Sequence, residues 1–489
     1  VEHKKERIFY ISPFMSILEQ NGDVIREIAG DDNYLEHHSD MYCKIIDNKH
    51  KSKEEVADEL EDYELRCRHW DKQVICTTMV QFFDTLFSSR IEALRRMHRF
   101  TDSVIIIDEV QSIPIRCVYL FNLAMNFLSA FMGCTIVLCS ATQPTFEQCK
   151  YPIMLDKDSS MTGDYTKDFE DFKRTEVVSL LNNQGNTYEE AAVICMDKYR
   201  ENGNLLFVVN TKTAAAEIFR NVTQLNDEEE IKAKVVHLST NMCPAHRRKA
   251  IDDIRRMLDN NERVICITTQ LIEAGVDISF KCVIRSSAGL DNIAQAAGRC
   301  NREGKLNHVG KLGQVFVFNL ENTLLRGLMG KGAAALREIL SVSDGSDLFS
   351  PECMAQYFSL FYSNCNTFDK ADIKGLLYKG FAEMHFMFAT AAEKFRLIDD
   401  KDSVSILVGY GDGATLLEEL KRIGPEFWLL RKLQQYIVSI RKWDFEELVR
   451  CGKVIEYSGV FILEDPNCYD LQAGLVLDGA WVEELLLIE

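Results

Sequence analysis

The sequence predicts an α/β protein with two tandem doubly wound parallel-sheet lobes, followed by a helical linker and a small α+β carboxyl-terminal domain. Three observations indicate this fold class. The chain has 489 residues, too many for a single hydrophobic core. Short apolar runs alternate with helix-like stretches, as in doubly wound sheets. The same alternation then occurs a second time further along the chain.

In the predicted first lobe, three apolar runs end abruptly in polar residues. They cover Arg7 to Pro13, Ser103 to Val110 and Thr135 to Thr142. Such runs are typical of strands buried on both faces of a parallel sheet, with functional side chains at their carboxyl ends. The stretches EEVADELEDYELRCRHW and VQFFDTLFSSRIEALRRMHRF lie between them and are predicted to be helical. We place this lobe at residues 1–160.

A second series of apolar runs begins near Gly203. It consists of NLLFVVNT, KVVHLST, RVICITT, KCVIRSS and GQVFVFN, with helix-like segments between. This pattern predicts a second parallel sheet within residues 161–325. Residues 326–400 are predicted to form the helical linker, and residues 401–489, where strands mix with helices, the carboxyl-terminal accessory domain.

Composition restricts the class of protein. Only 8 prolines and no Gly/Ser tract indicate a chain that is folded throughout. The net charge of -19 argues against wrapping nucleic acid by bulk electrostatics, although a narrow groove can still hold a single strand. The 16 scattered cysteines, with no CxxC pair and no secretory signal, indicate reduced thiols in the cytoplasm. No apolar stretch predicts a membrane span.

Two polar segments follow neighbouring strands of the first lobe. At one strand end, Asp108 can hold Mg²⁺ through its water shell and Glu109 can orient a water that attacks a γ-phosphate. An acidic pair is also a common helix start. At the next strand end, Ser140, Ala141 and Thr142 are placed to hydrogen-bond this acidic box and relay the state of the nucleotide. Taken by themselves, these residues are better explained by a plain strand-to-turn transition.

The second lobe carries TTQLIEAGVDI (Thr268 to Ile278) and QAAGRCNR (Gln295 to Arg302). If the latter segment is helical, Arg299 and Arg302 lie three residues apart on one face. Both guanidinium groups would then point across a cleft at a γ-phosphate, as arginine fingers do. A basic helix of another kind could share this spacing, but the fixed glutamine and glycine make the pattern specific.

The order DEVQ, SAT, TTQLIEAGVD, QAAGRCNR resembles motifs II, III, V and VI of superfamily 2 helicases, whose motors have two RecA-like lobes. In more detail, ISPFMSILEQN, CTTMVQFFDTLF, HLSTNMCPAHR and TQLIEAGVDISF resemble the helicase-nuclease of type I CRISPR systems, in its I-C-like branch. The resemblance runs from the first residues to about Asn319, and more loosely through LQQYIVSI and YDLQAGL. The family's acidic box is often D-E-x-H, so Gln111 is a tolerated variant.

The resemblance implies an ATP-dependent single-stranded DNA translocase or helicase of CRISPR antiviral defence, with ATP and Mg²⁺ as cofactors and a guide-RNA surveillance complex as partner. It implies a metal site at Asp108. It implies catalytic or nucleotide contacts from Asp108, Glu109, Gly275, Asp277, Gln295, Arg299 and Arg302, and coupling through Gln111, Ser140, Ala141 and Thr142. It implies that the main chain and hydroxyls of Ser12, Pro13, Phe14, Thr77, Thr78, Thr268 and Thr269 contact nucleic acid.

Two parts of the family pattern are absent from these 489 residues. One is the phosphate-binding loop GxxxxGK[ST], which the family has just upstream of the strand at Arg7 to Pro13. The other is the metal-dependent nuclease domain, which we expect in cis upstream or in trans. We therefore expect the chain alone to hydrolyse ATP poorly. We interpret Glu36, His37 and His38 as a solvated loop after the first helix rather than a metal site.

Two alternatives stay open. The motor could belong to another superfamily 2 branch that acts on RNA or on branched DNA, although PFMSILEQN and MCPAHR argue against that branch. The chain could instead be a non-catalytic module, either a split subunit or a fragment, that binds DNA or docks a partner.

Overall fold

The computed structural model describes residues 5–46, 53–157, 159–163, 165–273, 275–321, 325–342, 347–365, 368–378, 384–398 and 402–477. The chain divides into two compact units. The first unit combines residues 1–171 with 334–399, and the second combines 172–333 with 400–489. Each unit contains one of the two predicted lobes. The segment after the second lobe groups with the first lobe, and the carboxyl-terminal domain groups with the second.

The first lobe is built on a five-stranded, all-parallel sheet with the order β2-β3-β1-β4-β5. Its strands are β1 (Arg7–Ser12), β2 (Tyr34–His37), β3 (Val74–Thr78), β4 (Ser103–Ile107) and β5 (Thr135–Leu138). Its helices are α1 (Met15–Ala29), α2 (Asp40–Ile46), α3 (Lys53–His69), α4 (Met79–Phe87), α5 (Ile91–Arg95), α6 (Val118–Met132) and α7 (Tyr165–Asp171). Phe100 packs edge-on against Phe9 and Phe82, with ring centroids 4.9 and 5.4 Å away, in the aromatic core.

The helix predicted over residues 80–100 is interrupted. Ser88 ends α4 in an extended backbone conformation. Its hydroxyl accepts a hydrogen bond from the N–H of Arg90 at 3.1 Å. Serine side chains compete in this way with helical hydrogen bonds, so the two serines at 88 and 89 separate α4 from α5.

The prediction of a solvated loop at Glu36 to His38 was wrong. Glu36 and His37 end β2, and all three side chains are buried. The Glu36 carboxylate lies 2.5 Å from Nε2 of His38, and the Trp70 indole N–H donates to Nδ1 of His37 at 3.1 Å. Hydrogen-bond partners inside the lobe allow these polar residues to be buried.

The second lobe has a six-stranded, all-parallel sheet with the order β6-β11-β10-β7-β9-β8. Its strands are β6 (Thr175–Ser179), β7 (Asn204–Val208), β8 (Lys234–Leu238), β9 (Val264–Thr268), β10 (Cys282–Ser286) and β11 (Gly313–Phe318). Its helices are α8 (Tyr188–Asn202), α9 (Lys212–Asp227), α10 (Pro244–Asp259) and α11 (Leu290–Ala297). Every residue of β7, β9 and β10 is buried, as expected for central strands covered on both faces.

Four helices follow: α12 (Gly327–Val342), α13 (Pro351–Ser363), α14 (Ile373–Tyr378) and α15 (Phe388–Lys394). Aromatic contacts hold the later part of this segment on the first lobe. Phe395 packs against Phe87, and Phe368 stacks on Tyr119, with ring centroids 4.9 and 4.6 Å apart.

The carboxyl-terminal domain contains β12 (Ser403–Leu407), α16 (Gly413–Ile423), α17 (Phe427–Leu433), β13 (Ile437–Arg441), α18 (Lys442–Arg450), β14 (Val454–Tyr457), β15 (Val460–Leu463), β16 (Tyr469–Asp470) and β17 (Gly474–Leu475). Four of these strands form a mixed sheet in the order β13-β12-β15-β14, and the two short strands pair with each other. The predicted fold class, two parallel-sheet lobes with a small mixed domain, is confirmed.

One span among the described residues, Ile115–Met132, is long and apolar enough to cross a membrane by length and composition. It consists mainly of α6. Half of the span is buried inside the protein, as is common for a core helix.

Candidate functional site

The carboxyl ends of the central strands of the first lobe lie side by side. Ser12 at the end of β1 pairs with Thr78 at the end of β3. On the other side of β1, the N–H of Asp108 donates to the carbonyl of Ile11 at 2.8 Å. The N–H of Cys139 in turn donates to Ile107 at 2.8 Å, which extends the series to the edge strand β5. Ligands of open α/β sheets bind at this end of the strands.

The Asp108 carboxylate is fixed by two donors. The Tyr10 hydroxyl donates to Oδ2 at 2.6 Å, and the main-chain N–H of Glu109 donates to Oδ1 at 2.9 Å. Asn21 of α1 donates in turn to the Tyr10 hydroxyl oxygen at 2.5 Å. Burial and the hydrogen bond to Asp108 both raise the pKa of Tyr10, so this hydroxyl stays protonated and keeps donating.

These contacts leave Asp108 suited to a hydrated Mg²⁺. The carboxylate is half-buried, and each oxygen retains a lone pair beyond its one donor. No group of three or more potential metal ligands occurs in the described part of the chain. Mg²⁺ commonly binds proteins through one or two carboxylates together with water and substrate phosphates, and a single fixed carboxylate fits that pattern.

Glu109 has a left-handed backbone, with φ 50° and ψ 45°. This conformation is uncommon for a residue other than glycine, and outliers of this kind cluster at functional sites. The chain then enters a three-residue 3-10 turn, Val110–Ser112. The acidic pair therefore precedes a short 3-10 turn rather than an α-helix.

A hydrogen-bonded series joins Glu109 to the following strand end. The Gln111 amide donates to a Glu109 carboxylate oxygen. The Ser140 hydroxyl lies within hydrogen-bond distance of two acceptors, the Gln111 carbonyl oxygen at 2.6 Å and the Thr142 carbonyl at 2.5 Å. Ser140 also accepts the N–H of Thr142 at 3.0 Å. Ala141 is exposed beside them. Contact between the SAT segment and the acidic box, expected from the sequence, is therefore present, while its role in coupling stays a prediction.

The candidate nucleic-acid residues of the first lobe use their hydroxyls internally. Ser12 and Thr77 are fully buried. Ser12 Oγ accepts the N–H of Phe14 at 3.4 Å, and Thr77 Oγ1 donates to a main-chain carbonyl at 3.0 Å. Thr78 caps α4, and Pro13 is half-buried. The hydroxyls of these side chains therefore stabilise the strand ends. Any contact of this region with phosphates would be made by main-chain groups.

In the second lobe, too, a candidate nucleic-acid residue uses its hydroxyl for an internal hydrogen bond. Thr268 ends β9 fully buried, and its hydroxyl donates to the carbonyl of Thr269 at 3.1 Å. A 3-10 turn at Gln270–Ile272 follows. Gly275 has φ +75°, a left-handed conformation that favours glycine, and it precedes the exposed Asp277.

The arginines of QAAGRCNR do not share a helical face, so that prediction was wrong. Helix α11 carries Gln295 but ends at Ala297, and Asn301 has a left-handed backbone with φ 48°. Gly298 caps the helix, and the chain turns between the two arginines.

Their guanidinium groups have different surroundings. Arg299 is 7% exposed, and it donates to the carbonyls of Ile272 at 3.0 Å and Glu273 at 2.9 Å. Arg302 is at the surface, with Nε donating to Asp277 Oδ1 at 2.8 Å. The roles of both as arginine fingers stay predictions. Because its guanidinium is not buried, Arg302 is the better candidate for a ligand contact.

Sequence reasoning missed Tyr10 and Asn21, which hold Asp108, and Arg285, which lies inside the second lobe. One signal for Arg285 was available. An arginine within the apolar run KCVIRSS must be paired if the strand is buried, because burying an isolated charge is very costly.

Comparisons with known proteins place these sites in context. A family model described as the C-terminal part of the CRISPR-associated nuclease/helicase Cas3 matches residues 201–305, which include both motifs of the second lobe. The CRISPR-associated nuclease/helicase Cas3 of Haloferax volcanii is 25% identical over 399 residues, covering 64% of this chain and 42% of that protein. Over these ranges the chain is similar to Cas3 proteins.

Solved Cas3 structures share the fold at low sequence identity. The crystal structure of T. fusca Cas3 matches with a TM-score of 0.66 and 13% identity, over 94% of this chain and 62% of that one. The T. fusca Cas3-ATP structure matches with a TM-score of 0.64 and 12% identity, over 96% and 65%. The chain therefore spans less than two thirds of the length of these relatives.

Proposed function

We propose that this chain forms the two-lobed motor of an ATP-dependent single-stranded DNA translocase or helicase in CRISPR antiviral defence. One observation carries the proposal. Glu109, Gln111 and Ser140 form a hydrogen-bonded series between the acidic pair and the next strand end. This series suits a motor, because a change at the nucleotide can then move a neighbouring segment at the same edge of the sheet.

The residues divide the chemistry between them. Bound Mg²⁺ would neutralise charge on the nucleotide phosphates. Asp108 would hold that ion, with Tyr10 keeping the carboxylate oriented. Glu109, whose left-handed backbone sets the direction of its side chain, would orient the attacking water. Arg302 would exchange its exposed partner Asp277 for phosphate oxygens, since a surface ion pair is weak.

The DNA contacts we propose lie at the main chain of the strand ends, in the stretches that carry Ser12, Pro13 and Phe14, Thr77 and Thr78, and Thr268 and Thr269. Amide contacts to phosphates carry no sequence information, which suits a motor that moves along any strand. Such contacts also need no basic surface, in agreement with the net charge of -19.

We further propose a guide-RNA surveillance complex as the partner, a nuclease domain in cis or in trans, and a cytoplasmic location. A solved chain described as "CRISPR RNA-guided surveillance complex, pre-nicking" shares this fold, with a TM-score of 0.57 and 12% identity over 96% of the present chain. That description supports the class of partner.

The test removes one link of the series. Ser140→Ala would be made in a version of the protein that also carries the phosphate-binding loop, with Ser160→Ala as the control because Ser160 is exposed and lies outside the site. Loss of one neutral hydrogen bond, worth about 1 kcal/mol, should lower DNA-stimulated hydrolysis several-fold and leave ATP binding unchanged. Equal stimulation in both variants would reject the coupling role. Absence of single-stranded DNA binding by the parent protein would reject the proposed function itself.

A further inference from the structure

Arg285 is a charged residue in the centre of the second lobe. It lies in β10, between β7 and β11, and is 0% exposed. An apolar side chain of similar volume would fill this position without the cost of removing a guanidinium from water. The contacts of Arg285 therefore indicate what the charge does.

These contacts join three segments of the lobe. Nε of Arg285 donates to Glu273 Oε1 at 2.7 Å. Nη1 donates to Asn210 Oδ1 at 2.6 Å and to the carbonyl of Ser286 at 2.9 Å. Asn210 follows the end of β7, and its own amide donates to the carbonyl of Ser287 at 2.8 Å. Arg285 thus ties the end of β7 to the chain that leaves β9.

Glu273 is held through both its side chain and its main chain. Asn292 of α11 lies 3.4 Å from its second carboxylate oxygen, and Arg299 donates to its carbonyl at 2.9 Å. Burial raises the pKa of Glu273, and the attraction of Arg285 opposes that shift. The segment that carries Glu273 is therefore anchored in the interior of the lobe.

The anchored segment separates two sets of candidate residues. Thr268 and Thr269 precede the 3-10 turn Gln270–Ile272, and Gly275 and Asp277 follow it. Gln270 also contacts Asn210, with Nε2 and Oδ1 3.5 Å apart. A fixed turn determines where the main chain of Thr269, which directly precedes it, lies.

We propose that Arg285 is a positioning residue for the DNA site. Through Glu273 and Asn210 it fixes residues 269–273, so that the main chain of Thr269, directly after β9, is held in place for DNA phosphates. This inference rests on the proposed function for its ligand, but the fixing of the segment can be tested without DNA.

The decisive variant is the double substitution Arg285→Met with Glu273→Met in the 489-residue chain. Arg285→Met alone leaves Glu273 buried without its partner and can fail to fold for that reason. The double variant removes both charges and keeps apolar packing. The matched control is Arg200→Met with Glu229→Met, which removes an exposed ion pair of the same lobe.

Three measurements separate positioning from packing: the melting temperature, hydrogen exchange of the amides at 269–273, and the affinity for a fluorescent single-stranded oligonucleotide. For the double variant we expect a melting temperature like that of the wild type, faster exchange confined to this segment, and a Kd raised at least about tenfold. The control should match the wild type in all three.

Two results would overturn the proposal. One is wild-type exchange and affinity in the double variant. The other is faster exchange throughout the lobe with a lower melting temperature, which would indicate packing alone. If exchange rises locally but the wild-type chain itself binds no single-stranded DNA, the fixing of the segment stands and the proposed function fails.

Discussion

Acidification should destabilise the first lobe through His37. This side chain is 8% exposed, accepts the Trp70 indole N–H at 3.1 Å, and lies 3.2 Å from the Arg96 guanidinium. Burial, and then the positive charge of Arg96, lower the pKa of His37 from 6.5 to about 3. The folded lobe therefore keeps the imidazole neutral at pH values where the unfolded chain protonates it.

The size of the effect follows from this difference. Below an unfolded pKa of about 6.5, the unfolded state binds one more proton than the folded state, so stability falls as pH falls. The contribution of neutral His37 to the free energy of unfolding is complete above pH 6.5. It decreases by about 1.4 kcal/mol for each pH unit below that value. At pH 5, roughly 2 kcal/mol of the free energy of unfolding should be lost through His37 alone.

The assay uses Trp70, which contacts the imidazole directly. With the other tryptophans replaced by phenylalanine, urea unfolding monitored by Trp70 fluorescence reports on the first lobe between pH 7.5 and 5. His37→Gln keeps a hydrogen-bond acceptor but does not titrate. Between pH 7.5 and 5, the free energy of unfolding of this variant should therefore fall by roughly 2 kcal/mol less than that of the wild type. His98→Gln, an exposed histidine of the same lobe, serves as the control. Equal losses in the wild type and His37→Gln would refute the reasoning.

Three further predictions concern the nucleotide. The 489 residues contain no GxxxxGK[ST] sequence, so we expect the chain to hydrolyse ATP poorly; DNA-stimulated turnover like that of an intact motor would contradict this. In a version that carries the loop, Asp108→Ala and Glu109→Gln should both abolish hydrolysis, but only Asp108→Ala should weaken Mg²⁺-nucleotide binding; equal affinities in a titration would contradict the assigned roles. In the same version, Arg302→Ala should lower turnover by roughly three to five orders of magnitude with binding intact, and Arg302→Lys should rescue little. A near-normal rate of ATP hydrolysis by Arg302→Ala, measured by stopped flow, would exclude Arg302 as an arginine finger.

Much of the fold could be predicted because buried parallel strands have a strong sequence signal. The runs at β1, β4, β7, β9 and β10 are apolar and end in polar residues. Strand β2, with the sequence YLEH, lacked that signal because half of its residues are polar. Their side chains are buried through internal hydrogen bonds, which the sequence does not reveal. Three strands were not predicted: β2, β3 with the sequence VICTT, and the edge strand β6 with the sequence TEVVS.

The candidate site was predicted as a set of residues but not as a geometry. The spacing of Arg299 and Arg302 suggested one helical face, whereas the helix cap at Gly298 directs them to different surroundings. The hydroxyls at strand ends suggested phosphate contacts, whereas Thr77 and Thr268 donate to nearby carbonyls. Side-chain direction depends on local turns and long-range partners, which residue spacing does not specify.

Each of the two units is built from two separate stretches of sequence, and this affects which fragments of the protein can be expressed. The chain passes from one unit to the other after residues 171, 333 and 399, so neither unit is a single stretch of sequence. A fragment that stops after the second lobe would remove one aromatic partner from each of Phe87 and Tyr119, exposing more of both rings on the first lobe. Newly uncovered apolar surface of this kind promotes aggregation. Soluble expression of the first lobe therefore requires residues 334–399, supplied either through the intervening chain or as a separate polypeptide.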